Sequence, residues 1–336
     1  MRFGLALPHY GFSLPDAEPI TFGAMSEVAR RAEALGFDSL WVSDHLFYTF
    51  ARYGVEPSPI GSLEAMTALA GLAALTERAR LGSLVLSAPF RHPALLAKMA
   101  ATIDRISGGR FDLGIGAGWL EEEFIAFGFP FGSVGHRFAT LEDGLKVLTG
   151  LPGHGPVTLD AGPFHLRDAV LLPPPIQQPR SPVWLGAKGG DRALDLAARY
   201  ADGWNTVWRW TPEAYADRVA AARRACEAVG RDPATLRLSV GLYGLIGANE
   251  TQARAAFERG RAAMPGGAMD DETYDDWRAD TLSGTPEQVR ERVRAFSALG
   301  VEELVLSPGV LPFALHEPEQ LELFAQELIV SGDVHR

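Results

Sequence analysis

Cysteine and long apolar runs are almost absent from this chain of 336 residues. The single cysteine, Cys226, excludes an internal disulfide, and its neighbours Arg223, Arg224 and Glu227 in a helical stretch favour a structural thiol. No apolar run approaches the ~20 residues that a membrane-spanning helix needs. Residues 1–10 do not have the pattern of a signal peptide, so we expect a cytoplasmic protein with no membrane partner.

Basic residues are also few, since 31 lysines and arginines stand against 42 aspartates and glutamates, a net charge of −11. This balance argues against a nucleic-acid partner, because a phosphate backbone binds a basic face. No HExxH or CxxC spacing indicates zinc, so we expect no metal, and no GxSxG sequence indicates an α/β-hydrolase. Gly114-Ile-Gly-Ala-Gly118 lacks the third-glycine spacing of a Rossmann fingerprint.

What is present is a regular alternation of strand-like and helix-like stretches. Runs typical of strands lie near 3–7, 39–43, 81–86, 111–116, 183–186, 203–207, 237–246 and 302–307. Stretches typical of helices lie near 21–35, 64–76, 95–107, 136–149, 190–200, 212–229, 250–263 and 286–299. Thr285 and Gln288 form a predicted capping box for the last helix, and Gly300 ends it. Eight strands alternating with eight helices predict an α/β fold, the (β/α)8 TIM barrel.

We expect one domain over residues 1–330, followed by a tail at 331–336. Two segments interrupt the alternation. The first, about 150–180, is rich in glycine and proline, with a predicted hairpin around Pro163, and the second, about 264–284, is polar. Both are predicted to be inserted loops over the barrel rather than separate domains.

The stretch Val183-Trp-Leu-Gly-Ala-Lys-Gly-Gly-Asp-Arg192 runs from an apolar strand through a glycine turn directly into a helix. Small residues let backbone N–H groups close around an anion, and a helix N-terminus favours negative charge. A tight turn without a ligand is the alternative. Five residues are therefore candidates for binding a phosphate-bearing cofactor: Gly186, Ala187, Lys188, Gly189 and Gly190.

The carboxyl ends of the strands are where a TIM barrel places its active site. His45 follows Asp44 at such an end, where an imidazole can exchange a proton with a bound ring near neutral pH. A loop cap is the alternative for His45, and Asp44 either fixes the His45 tautomer or caps a turn. His9, Trp119 and Trp208 lie at other strand ends as candidates for the substrate pocket, with core packing as the alternative for the tryptophans.

The strand at 111–116 alternates large apolar residues with Asp112, Gly114 and Gly116, and Gly118 extends the bare face beyond it. A missing layer of side chains at the mouth of a barrel leaves space for a flat ligand. Crowding of the backbone at a corner of the barrel explains the same glycines. The sequence leaves both interpretations open.

Five motifs occur in one order along nearly the whole chain. They are Gly36-Phe-Asp-Ser-Leu-Trp-Val-Ser-Asp-His45, Arg91-His-Pro93, Gly109-Arg-Phe-Asp-Leu-Gly-Ile-Gly-Ala-Gly-Trp119, Arg199-Tyr-Ala-Asp-Gly-Trp204 and Gly284-Thr-Pro-Glu-Gln-Val289. With this order and spacing the chain resembles the bacterial luciferase-like flavin enzymes, and it looks most like the branch that uses the deazaflavin coenzyme F420.

The resemblance implies a TIM barrel with a flavin or deazaflavin over the strand ends. His45 matches a histidine near the reactive part of that ring, and Asp44 matches its partner, so these two are the expected catalytic residues. The expected cofactor-binding positions are a cis peptide at Leu84–Val85 behind the ring, the backbone of Ala117 and Gly118, and the phosphate turn Gly186–Gly190. Trp119 stands where similar F420-dependent glucose-6-phosphate dehydrogenases carry an acidic glutamate, which disfavours a sugar phosphate and favours a flat or apolar substrate.

The leading expectation is an F420-dependent oxidoreductase that transfers hydride between the deazaflavin and a small enone, imine or alcohol. The alternative is an FMNH2-dependent monooxygenase that works with a separate flavin reductase. An aldolase is disfavoured because Lys98 and Lys146 lie on predicted helices and Lys188 in a turn, so no strand offers a Schiff-base lysine. A cofactor-binding protein without turnover is a further alternative. The expected partners are the small-molecule substrate, a flavin or F420 reductase, and a second copy in a homodimer.

Overall fold

Eight parallel strands close a barrel in the computed structural model, which describes residues 1–15, 18–153 and 155–330. In chain order they are β1 (Arg2–Ala6), β2 (Ser39–Val42), β3 (Arg80–Ser83), β4 (Phe111–Gly116), β5 (Val183–Gly186), β6 (Gly203–Trp208), β7 (Arg237–Gly244) and β8 (Val301–Pro308). Each strand pairs with the next, and β8 pairs with β1 in a register that sets Gly4 beside Val305. The predicted TIM barrel is confirmed.

Helices cover the outside of the barrel in the predicted order. They are α1 (Phe22–Ala34), α2 (Ala65–Leu75), α3 (Pro93–Ile106), α4 (Glu121–Ala126), α5 (Val134–Gly150), α6 (Asp191–Tyr200), α7 (Pro212–Ala228), α8 (Glu250–Ala262), α9 (Tyr274–Ala279), α10 (Pro286–Ala298) and α11 (Glu319–Phe324), which continues as a π-helix. Thr285 and Gln288 form the expected capping box of α10. The helices α4, α9 and α11 are not among the predicted ones, because six residues are too few to show a helical period. The expected tail at 331–336 lies outside the described residues.

Short antiparallel strands lie in two of the connecting segments. The hairpin predicted around Pro163 is present as Val157–Ala161 paired with Phe164–Ala169. A second pair, Phe47–Tyr48 with Ile60–Gly61, lies in the loop after β2. Two residues are too few to show the alternation of a strand, so the sequence does not reveal this second pair.

The polar segment 264–284 is tied to the end of β6. The guanidinium of Arg209 lies 2.7 Å from a carboxylate oxygen of Asp280 and 2.8 Å from one of Glu272. The same guanidinium lies over the ring of Trp277, which belongs to α9. These contacts hold the segment over the carboxyl end of the barrel.

Two tryptophans fill the amino half of the barrel interior. The rings of Trp41 and Trp184 meet edge to face at 6.3 Å, and both side chains are buried. Glycines on neighbouring strands give them room, since a Cβ on Gly82 or Gly203 would lie 2.3 Å from a ring carbon. The buried carboxylate of Glu303 accepts the indole N–H of Trp41 at 3.1 Å. The barrel is therefore filled at its amino end, and its free rim is at the carboxyl ends of the strands.

Candidate functional site

The carboxyl ends of the strands bring the predicted site residues to one rim. Their positions are His9 after β1, Asp44 and His45 after β2, Leu84 and Val85 after β3, Ala117, Gly118 and Trp119 after β4, Gly186–Gly190 at the end of β5 and Trp208 at the end of β6. These residues share one end of the barrel, but their side chains differ in what they contact.

His45 is paired with a glutamate that the sequence analysis did not single out. Its Nδ1 lies 2.8 Å from one carboxylate oxygen of Glu123, and the other oxygen accepts the Leu46 amide at 2.7 Å. Glu123 lies on α4 and is only 1% exposed. The carboxylate favours a proton on Nδ1, so Nε2, which has no hydrogen bond among the described residues, is the atom that His45 can present to a reactant.

Asp44 does not orient His45. Its carboxylate accepts two hydrogen bonds from the Arg91 guanidinium, at 2.6 and 2.8 Å, and a third from the Ser87 amide at 3.0 Å. Arg91 also bonds Glu64. The interpretation of Asp44 as the group that fixes the His45 tautomer is wrong, because a bidentate pair with Arg91 occupies both of its oxygens. Asp44 instead holds the loop that follows β3.

Val85 fills the space beside the glycine-rich strand. A Cβ on Gly116 or Gly186 would lie 2.9 or 2.5 Å from its methyl groups. At Gly114 the backbone is close, because the Ser83 hydroxyl bonds both the amide and the carbonyl of that residue, at 2.9 and 2.8 Å. Of the two interpretations that the sequence leaves open for the bare face of β4, these contacts support crowding rather than a slot for a flat ligand at the strand glycines.

A buried hydroxyl without a partner lies where the resemblance places the cofactor ring. The Ser87 hydroxyl has no hydrogen-bond partner among the described residues. It follows the Leu84–Val85 peptide, which is cis as the resemblance implies. Gly118, with φ of +77°, approaches so closely that a Cβ there would lie 2.5 Å from the hydroxyl. A polar atom of a bound ring would satisfy this group, so these residues fit a flavin-like cofactor.

The glycine turn after β5 offers backbone donors. Gly190 begins α6 without a side-chain cap, and the amides of Lys188, Gly189 and Gly190 donate to no group in the described part of the chain. The Ala187 amide differs, because it bonds the Asn205 carbonyl at 3.1 Å. Three free amides at the N-terminus of a helix fit a phosphate.

The side chain of Lys188 turns away from this glycine turn. Its ammonium bonds the Val207 carbonyl and lies 5.2 Å from the centre of the Trp210 ring. Lys188 therefore offers its backbone amide to the turn, while its cation contacts β6 and Trp210. The arginine at the turn is Arg218, whose guanidinium lies 3.4 Å from the Gly189 carbonyl.

His9 lies beneath the rim. Its ring is completely buried, with Nδ1 2.8 Å from the Leu7 carbonyl and Nε2 2.9 Å from the Ser43 hydroxyl, which also bonds Tyr10. Burial lowers the pKa of His9 to about 3, so the ring is neutral and Nδ1 donates to the carbonyl. The assignment of His9 to the substrate pocket is wrong, because no part of the ring reaches the surface.

Aromatic rings surround the rim. Trp119 is 42% exposed and meets the His45 ring edge to face at 5.4 Å, while Trp208 stacks on Tyr243 at 5.3 Å. Trp208 packs against a hydrophobic cluster that also contains Tyr48, Phe50, Tyr53 and Phe313. The rim therefore offers flat, largely apolar walls.

Glu123 and Arg52 are the rim residues that sequence reasoning missed. Glu123 is the last of three consecutive glutamates directly after the Trp119 motif, and only its burial distinguishes it from Glu121. Arg52 lies over the Trp119 ring, with 4.7 Å between the guanidinium carbon and the ring centre. An acidic run beside a strand end is the signal that points to the glutamate, and no local pattern marks the arginine.

No helix in the described ranges is long and apolar enough to span a bilayer. No group of three or more metal-ligating side chains lies together in those ranges.

The fold and the rim are those of a TIM-barrel enzyme. Residues 1–303 match the family model of the luciferase-like monooxygenases, and the chain belongs to that family.

Named relatives and a solved structure agree with this family. The FMNH(2)-dependent dimethylsulfone monooxygenase of Pseudomonas putida is 27% identical over 331 residues, which cover 90% of this chain and 86% of that protein. Pyrimidine monooxygenase RutA of Escherichia coli (strain K12) is 34% identical over 252 residues, 71% of this chain and 62% of RutA. An F420-dependent secondary alcohol dehydrogenase in complex with an F420-acetone adduct shares the fold, with a TM-score of 0.76 at 19% identity over 97% of this chain and 98% of that one.

The chain is therefore an oxidoreductase that depends on a flavin or on F420. The relatives support the FMN alternative better than the leading expectation of F420, because the F420 enzyme is similar in fold alone.

Proposed function

We propose that this chain is an FMNH2-dependent monooxygenase that receives reduced flavin from a separate reductase. The observation that carries the proposal is the glycine turn, where the amides of Lys188, Gly189 and Gly190 lie free at the start of α6. Such a turn suits the terminal phosphate of FMN. The similarity to the FMNH(2)-dependent dimethylsulfone monooxygenase of Pseudomonas putida supports FMN over F420.

The rim has a place for each part of the cofactor. The phosphate would bind at the glycine turn, with Arg218 beside it. The ring would lie against Val85 and along the backbone of Ala117 and Gly118. The Ser87 hydroxyl, which lacks a partner among the described residues, would bond a polar edge of the ring. When bound, reduced flavin would supply the two electrons that split molecular oxygen between the substrate and water.

The chain itself supplies orientation, proton transfer and exclusion of water. His45 Nε2 would take the proton that accompanies the reaction, with Glu123 holding the ring in place at Nδ1. His9 stays neutral and does not compete for that proton. Trp119 and Trp208 would line the substrate pocket and keep water from the reacting atoms.

Two protein partners follow from this proposal. The reductase would deliver the reduced flavin that the proposed reaction consumes. A second copy of the chain is the other partner, since Leu75 on α2 and Leu95 on α3 expose apolar side chains that a homodimer would cover. Sedimentation velocity measures this second point directly.

A charge-reversal pair at the turn tests the cofactor site. Gly190 has no atom within 4 Å of a Cβ placed on it, so side chains fit there. Gly190→Glu sets a carboxylate where the phosphate would bind, and Gly190→Gln is the neutral control. We expect the Kd of FMN, measured by quenching of flavin fluorescence, to rise at least tenfold in the glutamate variant and by less than about threefold in the control.

The same titration with F420 decides between the cofactors. Tighter binding of F420 than of FMN, or equal FMN binding by both Gly190 variants, would refute the proposal. Oxygen consumption that depends on a candidate substrate, above that of the flavin reductase, NADH and FMN alone, then tests for monooxygenase turnover.

A further inference from the structure

Arg52 stands at the rim without a hydrogen-bond or ion-pair partner among the described residues. It lies in the short turn Ala51–Tyr53, and its guanidinium carbon is 4.7 Å from the ring centre of Trp119 and 5.3 Å from that of Tyr53. No hydrogen bond or ion pair involves this side chain in the described part of the chain. Stacking uses only the faces of the guanidinium, so its edge keeps its N–H donors free for a planar anion.

The acidic side chains that pair with arginines at the rim do not reach Arg52. Asp44 and Glu64 are paired with Arg91. Lys188 also lacks a carboxylate within hydrogen-bond distance among the described residues, since its ammonium bonds a backbone carbonyl. Partial burial of that ammonium and then the charge of Arg52 lower the pKa of Lys188. A chain with a net charge of −11 therefore keeps two cations at its rim, Arg52 and Lys188, that have no ion-pair partner among the described residues.

The surroundings of Arg52 limit the kind of anion. The Trp119 ring contacts both Arg52 and His45, and it meets the His45 ring at 5.4 Å. A ligand held at Arg52 by one end would therefore extend along a flat aromatic wall toward the proton-transfer group. The glycine turn and Arg218 already provide a place for the phosphate of the cofactor, which leaves Arg52 for another molecule.

We infer that Arg52 binds the carboxylate of a flat aromatic substrate and directs the opposite end of that substrate toward His45. The inference rests on the proposed function for the chemistry at His45, but binding can be measured without turnover. Benzoate and benzamide are suitable probes, because they have similar shape and differ in charge.

The experiment compares the affinity for the two probes in four proteins: native, Arg52→Gln, Arg52→Lys and Arg30→Gln. Arg30 is an exposed arginine on α1 and serves as the matched control. Quenching of tryptophan fluorescence reports binding beside Trp119, both with FMN and without it. We expect native protein and the Arg30 variant to prefer benzoate at least tenfold, the glutamine variant to lose that preference, and the lysine variant to keep part of it.

Three results would overturn the inference: equal affinity of native protein for both probes, a benzoate preference that survives in Arg52→Gln, or a tenfold loss of FMN affinity in that variant. The last result would assign Arg52 to the cofactor phosphate. Failure of FMN to bind native protein counts against the proposed function alone, because the probe preference is also measured without FMN. A melting temperature equal to that of native protein shows that the variant is folded.

Discussion

Replacing Glu123 with glutamine would change the tautomer of His45, that is, which of its two ring nitrogens carries the proton. The native carboxylate only accepts hydrogen bonds, from His45 Nδ1 at 2.8 Å and from the Leu46 amide at 2.7 Å. In Glu123→Gln the amide oxygen can keep the bond to Leu46, so its NH2 group must face His45. Nδ1 then accepts, and the ring proton moves to Nε2, the atom that we assign to proton transfer.

The size of the stability effect follows from replacing a charged hydrogen-bond acceptor by a neutral one. Hydrogen bonds to a charged group contribute about 1.5–3 kcal/mol and neutral ones about 0.5–1.5 kcal/mol, so the variant loses about 1–2 kcal/mol of unfolding free energy. A misplaced general acid–base group costs about 100-fold in rate. We expect substrate-dependent oxygen consumption in the reductase-coupled assay to fall by that factor, with FMN affinity unchanged.

Glu121→Gln is the matched control, because Glu121 lies on the same helix and is exposed. Nitrogen-15 NMR of the imidazole reads the tautomer of His45 without any substrate. Native turnover in Glu123→Gln, together with an unchanged His45 spectrum, would show that the pair does not set the proton position.

Two further predictions concern stability. Since burial holds the pKa of His9 at about 3, below the ~6.5 of an unfolded histidine, its contribution to stability is complete above pH 6.5 and is lost as the pH falls. Urea unfolding from pH 6 to pH 5 should show native protein losing about 1 kcal/mol more than His9→Gln, and equal losses would contradict the burial argument. Gly203→Ala should cost about 1–3 kcal/mol, because its Cβ would lie 2.3 Å from the buried Trp184 ring, whereas Gly61→Ala, with no atom within 4 Å, should cost less than 1 kcal/mol. Equal midpoints for the two alanine variants would show that the tryptophan can move.

Periodicity and local end signals were enough to predict the barrel. Each strand and long helix carries its pattern within its own sequence, and the capping box at Thr285 needs only residues three positions apart. The sequence does not predict α4, α9, α11 or the two-residue strands, because a helical or strand period needs more residues than these elements have. Local sequence therefore predicts the long elements and says little about the brief turns that carry side chains to the rim.

The sequence predicts where the site lies in the fold, but it does not predict which side chains contact each other there. Position at a strand end correctly puts His45 and Asp44 on one rim. Their partners come from other parts of the chain: Glu123 is 78 residues from His45, and Arg91 is 47 residues from Asp44. Adjacent residues favoured the pairing of Asp44 with His45, whereas tertiary packing separates them. The contacts of Val85 could not be predicted for the same reason. Its neighbours, Gly116 on β4 and Gly186 on β5, come close to it only in the closed barrel.

The two crossed tryptophan rings inside the barrel have a consequence for the order of events. Trp41 and Trp184 fill the barrel interior at its amino end, so molecules that bind at the rim must arrive and depart from the carboxyl side of the barrel. Of the cofactor and the substrate, the one that binds deeper must enter first and leave last. An enzyme that receives its reduced cofactor from another protein would then bind and release its ligands in a fixed order. A tightly bound substrate would delay the replacement of oxidised cofactor by reduced cofactor.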